Sequence, residues 1–228
     1  MFLPLVGLVL VGAMGLWLLG NVRRDQPTPA DRPFARAQLP DRPLRIVAFG
    51  TSLTVGSFWP ERLAADLARC LGHPVTAGRI AKSGAGSDWG LTQVARVLEA
   101  QPDIVVVEFA INDADLFGGL SLDTSIARHL QLIGQLTGGE DAPAILLMTT
   151  NPVAPGWRSL QRPRLAAYYR SYRALAAQTG SALADLWPRW VAPIGGDGLH
   201  PDPEAEAALA LPVLMRMVAE RYGRACGA

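Results

Sequence analysis

Residues 103–110, DIVVVEFA, limit the fold more than any other stretch of this sequence. The run is continuously apolar and β-branched, with none of the polar alternate positions of a strand that has one wet face. Such a run belongs at the centre of a parallel sheet covered by helices on both sides.

The flanking sequence alternates between two periods. LRIVAF (44–49) reads as another buried strand and ends in a glycine-containing loop. Pro60 then opens a helix with Leu63, Leu67 and Leu71 on one face and Gly72 as its stop. Residues 75–80 suit a second strand. Leu91, Val94 and Leu98 recur at helical spacing until Pro102. After 103–110 come a helix near 121–137, a strand over 144–150, a helix near 163–179 stopped by Gly180, a weaker strand over 181–187, and a last helix over 203–223 with a kink at Pro212. This alternation predicts an α/β fold: a three-layer α/β/α sandwich around a five-stranded parallel sheet, with its chemistry beyond the C-terminal ends of the strands. The expected division is an apolar segment at 1–22, a Pro/Arg-rich linker at 23–43 and one domain at 44–228.

Composition narrows the function classes. Half of the 228 residues are hydrophobic and 18% are charged, which suits a chain with a real core. A net charge of +1 lacks the electrostatic footprint of a nucleic-acid binder. Two cysteines and three histidines leave little for a metal site. All but one of the basic residues are arginine, the exception being Lys82, which reads as composition bias.

Residues 1–22 carry no charged side chain, and about 20 helical residues cross a ~30 Å hydrocarbon core. They are expected to form a transmembrane anchor. A cleaved signal peptide is the main alternative and a buried helix the third, but the first charge is Arg23 and no clean small-x-small site follows. Arg23 and Arg24 would hold that flank in the cytoplasm, whereas a pair of cysteines points to an exported domain. Residues 23–43 read as an extended, proline-rich tether holding the domain off the bilayer; Phe34 and Leu39 support the alternative, a strap on the domain surface.

Four strand-end loops hold the polar residues that acyl transfer needs: GTSLT with Ser52, KSGAG with Gly84, INDAD with Asn112, and GDGLHP with Asp197 and His200. A serine hydroxyl needs a base to take its proton. His200 is that candidate. Asp197, three residues earlier, can fix its tautomer and stabilise the imidazolium. The Ser52 and Gly84 N–H groups and the Asn112 amide are candidate oxyanion donors, each typically worth about 2.7–4 kcal/mol of barrier. Taken singly, each block reads equally well as a turn or a helix cap.

Other residues have blander readings. His73 and His129 are expected to be structural or exposed, and Tyr168, Tyr169 and Tyr172 to pack. Asp113 and Asp115 either flank the pocket or hold its loop. Glu108 is either buried and hydrogen-bonded near the site or marks a sheet edge. Trp157, Trp187 and Trp190 either line an acyl or sugar pocket or pack under loops. Cys70 and Cys226 are either a disulfide or two free thiols.

The four blocks, FGTSLT, SGAG, AIND and DGLHP, in this order through residues 44–223, resemble the SGNH (GDSL-type) hydrolases. The resemblance implies Ser52 as nucleophile, Gly84 and Asn112 as oxyanion donors, and Asp197 and His200 as acid and base. Two positions depart from the family pattern. Thr51 stands where an aspartate is usual, and Ala110 where a glycine is common before the asparagine.

The expected function is a metal- and cofactor-free serine esterase acting on acetyl or acyl carboxylic esters through an acyl-enzyme, with its domain on the extracytoplasmic side of a membrane. An O-acyltransferase acting on envelope glycans would use the same site. A flavin- or nucleotide-binding module would explain FGTSLT but leave Asn112, Asp197 and His200 idle. A catalytically dead binding domain would not need every one of these residues.

Overall fold

The computed structural model describes residues 28–226. The segment 1–22, expected to be an anchor, lies outside the described residues. Among those described, no helix is long and apolar enough to cross a membrane.

Five strands, β1 (Leu44–Gly50), β2 (Val75–Ala81), β3 (Ile104–Glu108), β4 (Ala144–Thr149) and β5 (Ala182–Asp185), form one sheet in the order β2-β1-β3-β4-β5. All neighbours are parallel, with Phe49 opposite Val107 and Thr149 opposite Asp185. Side chains alternate between two cores. Val47, Phe49, Val105, Val107, Ile145 and Leu147 enter one; Ile46, Ala48, Ile104, Val106, Leu146 and Met148 enter the other. The uninterrupted apolar character of β3 follows from this double burial, each aliphatic side chain contributing about 1.5–3 kcal/mol.

Helices α1 (Ser52–Gly56) and α2 (Trp59–Leu71) follow β1, and α3 (Ser87–Thr92) and α4 (Val94–Glu99) follow β2. Helices α5 (Ala110–Asp113) and α6 (Leu122–Leu136) follow β3; α7 (Trp157–Gln161) and α8 (Leu165–Thr179) follow β4; α9 (Pro203–Arg221) closes the chain. Leu63, Leu67 and Leu71 are buried as their spacing predicts, and Gly72 (φ 60°) ends α2 in the left-handed conformation that favours glycine. Asp202 caps α9 by accepting from the Glu204 and Ala205 N–H groups.

Two details differ from the sequence expectation. The helix expected around Leu91–Leu98 is two short helices broken at Gln93. Strand β3 stops at Glu108, and residues 110–113 turn helical. As the sequence predicts, the last helix runs through Pro212, which is exposed.

From residue 28 onward the proline-rich stretch is a strap lying on the domain. Arg32 pairs antiparallel with Leu183 on β5 through two backbone bonds of 3.0 and 2.9 Å. Asp31 receives Arg189 at 2.9 Å and Arg216 at 2.7 Å, and Phe34 and Leu39 pack on the core. The strap thereby covers an edge strand that would otherwise offer unpaired backbone groups. Cys70 and Cys226 form a disulfide, with Cα atoms 5.8 Å apart.

Candidate active site

The loops after β1, β2 and β3 and the loop before α9 meet at the C-terminal end of the sheet. Ser52 sits at the start of α1, and Thr51 caps that helix by accepting from the Leu53 N–H. The loop after β2 is tied to the end of β1 by Lys82 N–H donating to the Gly50 carbonyl at 3.2 Å.

His200 Nε2 lies 2.8 Å from Ser52 Oγ, across 148 residues of sequence. His200 Nδ1 lies 2.6 Å from Asp197 Oδ2. Because the carboxylate can only accept, the Nδ1–H donates to it, leaving Nε2 as acceptor for the serine hydroxyl. The other Asp197 oxygen accepts from the Leu199 and His200 N–H groups at 3.0 and 2.9 Å. Partial burial pushes the Asp197 pKa up, but these N–H groups and the imidazole outweigh it and hold the carboxyl well below the ordinary range. Gly198 (φ 74°) provides the sharp turn.

The chain after β4 braces this loop. Ala154 N–H donates to the Gly198 carbonyl at 2.9 Å, and the buried Asn151 amide donates to the Leu199 carbonyl at 2.8 Å. Tyr169 donates in turn to the Asn151 carbonyl.

Gly84 is exposed with φ 75°, and its N–H and that of Ser52 make no hydrogen bond among the described residues. The Asn112 amide donates to the Ala85 carbonyl at 2.9 Å, which sets it beside the Gly84 loop with a second amide hydrogen to spare. The turn carrying Asn112 is anchored from below. The Tyr172 hydroxyl accepts from the Phe109 and Ala110 N–H groups at 3.0 and 3.2 Å and meets His129 Nε2 at 2.9 Å. His129 Nδ1 bonds to the Ser125 carbonyl, so the ring is neutral with Nε2 accepting the tyrosine proton. Its burial lowers the imidazole pKa against the opposing pull of Asp113. Arg162 Nε donates to the Ile111 carbonyl at 2.8 Å and pairs with Asp115. Asp113 accepts from the Ser87 and Ser125 hydroxyls, so both aspartates of INDAD hold the loop.

Glu108 is fully buried under the serine turn. It accepts from the Thr51 N–H at 2.6 Å and from the Thr51 and Thr54 hydroxyls at 2.7–3.0 Å. Burial raises its pKa to about 7 against those hydrogen bonds. Burial, with Glu108 adding to it, raises that of Glu206 on α9 to about 8. The hydroxyl of Thr51, which stands where the family pattern has an aspartate, is thus committed to a carboxylate.

His73 is half-buried, whereas His129 is fully buried. Trp190 is buried and Trp187 packs on Tyr169, while Trp157 is exposed near the site. Asn151, Arg162, Tyr172 and Glu206 were not singled out as site residues by sequence; each acts through a backbone or carboxyl group far away in the chain. A cavity of about 890 Å³ lies beside the disulfide between α2 and α9, away from Ser52. No group of three or more His, Cys, Asp or Glu side chains suited to a metal occurs among the described residues.

The fold has close counterparts among solved structures. A lipase/acylhydrolase from Enterococcus faecalis superposes with a TM-score of 0.66 at 24% identity, covering 81% of this chain and 100% of that one. An acetylxylan esterase, Axe2 from Geobacillus stearothermophilus, gives 0.62 at 18%, covering 85% and 97%. TesA gives 0.62 at 23%, covering 78% and 99%. These identities speak to the fold alone. No curated protein matches the sequence. The family model for the GDSL-like lipase/acylhydrolases matches residues 48–208, from the end of β1 into α9, and the chain belongs to that family.

Proposed function

We propose that the protein is a serine esterase that cleaves carboxylic esters through an acyl-enzyme, with Ser52 as nucleophile, His200 as base and Asp197 as its orienting acid. The unbroken hydrogen-bonded line from Ser52 Oγ through His200 to Asp197 carries the reading. Ser52 Oγ attacks the ester carbonyl carbon while its proton passes to His200 Nε2. The carbonyl oxygen gains the negative charge, and the N–H groups of Ser52 and Gly84 and the free Asn112 hydrogen are available to it. The alkoxy C–O bond then breaks, and Nε2 returns the proton to the departing alcohol. Water repeats the sequence on the acyl-enzyme, giving its proton to Nε2, releasing the acid and restoring the serine.

The neighbours' names suggest two substrate classes, acetylated glycans and acyl lipids. We read residues 1–22 as a membrane anchor. The disulfide supports an extracytoplasmic domain, since such bonds persist in oxidising compartments.

Turnover of aryl acetate, butyrate and longer esters, by wild type and Ser52→Ala, tests the proposal. The variant should lose roughly 10³–10⁶-fold in kcat, a range set by other serine hydrolases. A variant as active as wild type would refute the mechanism. Free acid as the product indicates hydrolysis, and acylated acceptor indicates transfer.

A further inference from the structure

Among the described residues eight large apolar side chains are exposed, and seven lie in segments that follow the C-terminal ends of strands. Val55 and Phe58 follow β1, Leu116 and Phe117 follow β3, Trp157 and Leu160 follow β4, and Val191 follows β5. Only Leu98, which precedes β3, belongs to the other end. Exposed apolar residues scattered singly are ordinary. These gather at the end where Ser52 and His200 meet, and some are in contact. The rings of Phe117 and Trp157 stack with centroids 5.9 Å apart and planes 17° from parallel. The Leu116 N–H donates to the Gln161 carbonyl at 2.9 Å, joining the loop to α7. Leu160 lies one turn from Trp157 on the same helix face. Leu116, Phe117, Trp157 and Leu160, each 62–72% exposed, therefore form a patch of the kind that marks an interaction surface. It adjoins the acid–base loop, because Arg158 of α7 donates to the Asp197 carbonyl at 3.2 Å.

The path of the strap indicates what this end meets. The strap runs antiparallel to β5, so following it back toward the N-terminus leads to the C-terminal end of that strand. Arg32 pairs with Leu183, the Ala30 N–H donates to the Asp185 carboxylate at 3.0 Å, and the Thr28 carbonyl accepts from Arg173 at 3.0 Å. Residue 28 is thus held at the same end of the sheet as Ser52. Only residues 23–27 separate it from the charge-free run 1–22, and that length of chain reaches at most about 20 Å. A membrane holding residues 1–22 would lie close to the catalytic end of the domain. Tryptophan and phenylalanine on that end suit the bilayer interface, where an amphipathic ring meets both headgroup and acyl chain.

We infer that the catalytic end of the domain docks on a lipid bilayer through Leu116, Phe117, Trp157 and Leu160, and that the ester presented to Ser52 belongs to a membrane-resident acyl lipid. The inference rests on the anchored-esterase reading above and commits it to one substrate class.

The test uses the full chain reconstituted in phosphatidylcholine vesicles, with and without brominated acyl chains. Trp157 is one of six tryptophans, so its contribution is the difference between wild type and Trp157→Phe. The expected result is that the protein floats with the vesicles and that bromolipid quenches wild type more than the variant. A Phe117→Asp, Leu160→Asp double variant should lower turnover of a vesicle-borne long-chain ester, relative to a soluble aryl acetate, at least tenfold. Flotation without a Trp157 share in the quenching, or with Trp157 shielded from both bromolipid and aqueous iodide, overturns the docking while leaving the anchor in place. The shielded result would mean that a second copy or the chain's own apolar segment covers the patch. Failure to float removes the anchor and the inference together. Loss of aryl acetate turnover in Ser52→Ala reports on the esterase reading separately.

Discussion

A single buried carboxylate shapes the turn that presents Ser52. Glu108 collects the Thr51 N–H and two threonine hydroxyls, and a Cβ at Gly50 would fall on its carboxyl group. Glycine at 50 and threonine at 51 and 54 are thus explained by one residue on the adjacent strand. Replacing Glu108 with Gln keeps the volume but supplies two donors where the threonines also donate. We expect kcat to fall about tenfold with KM nearly unchanged, the mark of a misplaced nucleophile rather than lost binding. Glu108 and Glu206 also link stability to pH. Their folded pKa values, about 7 and about 8, stand above the ordinary 4.5. The folded state therefore holds protons that the unfolded chain releases, and the contribution of this pair to stability declines as pH rises from about 4.5 through 8. In urea titrations at pH 5 and pH 8, Glu206→Gln should shrink that decline by an amount on the order of a few kcal/mol. An unchanged difference between the two pH values would contradict the raised pKa of Glu206.

The elements legible in the sequence are those whose signal is local. Strands β1, β3 and β4 announce themselves as apolar runs and β2 and β5 more faintly, α2 as a leucine stripe ending in glycine, and the candidate triad as polar residues in strand-end loops. The short helices α1, α5 and α7 have at most five residues each, too few to show a period. The support beneath Asn112 was hidden for a different reason. Tyr172 meets backbone groups 62 and 63 residues away, and His129 faces inward from α6 as one polar residue within an amphipathic pattern. Nothing local distinguishes such a residue from a solvent-facing one. The Tyr172→Phe variant leaves the Phe109 and Ala110 N–H groups and His129 Nε2 without their partner. At about 1–3 kcal/mol for an unsatisfied buried group, chemical denaturation should show a loss of at least 2 kcal/mol. Turnover should fall too, because the same hydroxyl holds the start of the Asn112 turn. A variant as stable as wild type would mean that the network carries no load.

At the scale of the whole molecule, two ties hold the segments before β1 and after α9 to the domain. The strap closes the β5 edge, and the Cys70–Cys226 disulfide joins the last turn of α2 to the segment beyond α9. Both cysteines lie at the end of the sheet away from Ser52. A crosslink spanning 156 residues restricts the unfolded chain by about 5 kcal/mol in the chain-entropy view. Reduction, or Cys70→Ser, should therefore lower the denaturation midpoint strongly while leaving turnover of a soluble ester at room temperature within about twofold. Equal midpoints for oxidised and reduced protein would contradict this.

The proposed chemistry requires that residues 52 and 200, far apart in sequence, act as one unit. Peptide mapping after reaction with a fluorophosphonate tests this most directly. We predict one phosphonylated residue, Ser52, with labelling slowed at least a hundredfold by His200→Ala. Modification at another residue, or equal labelling rates with and without the imidazole, would contradict the account.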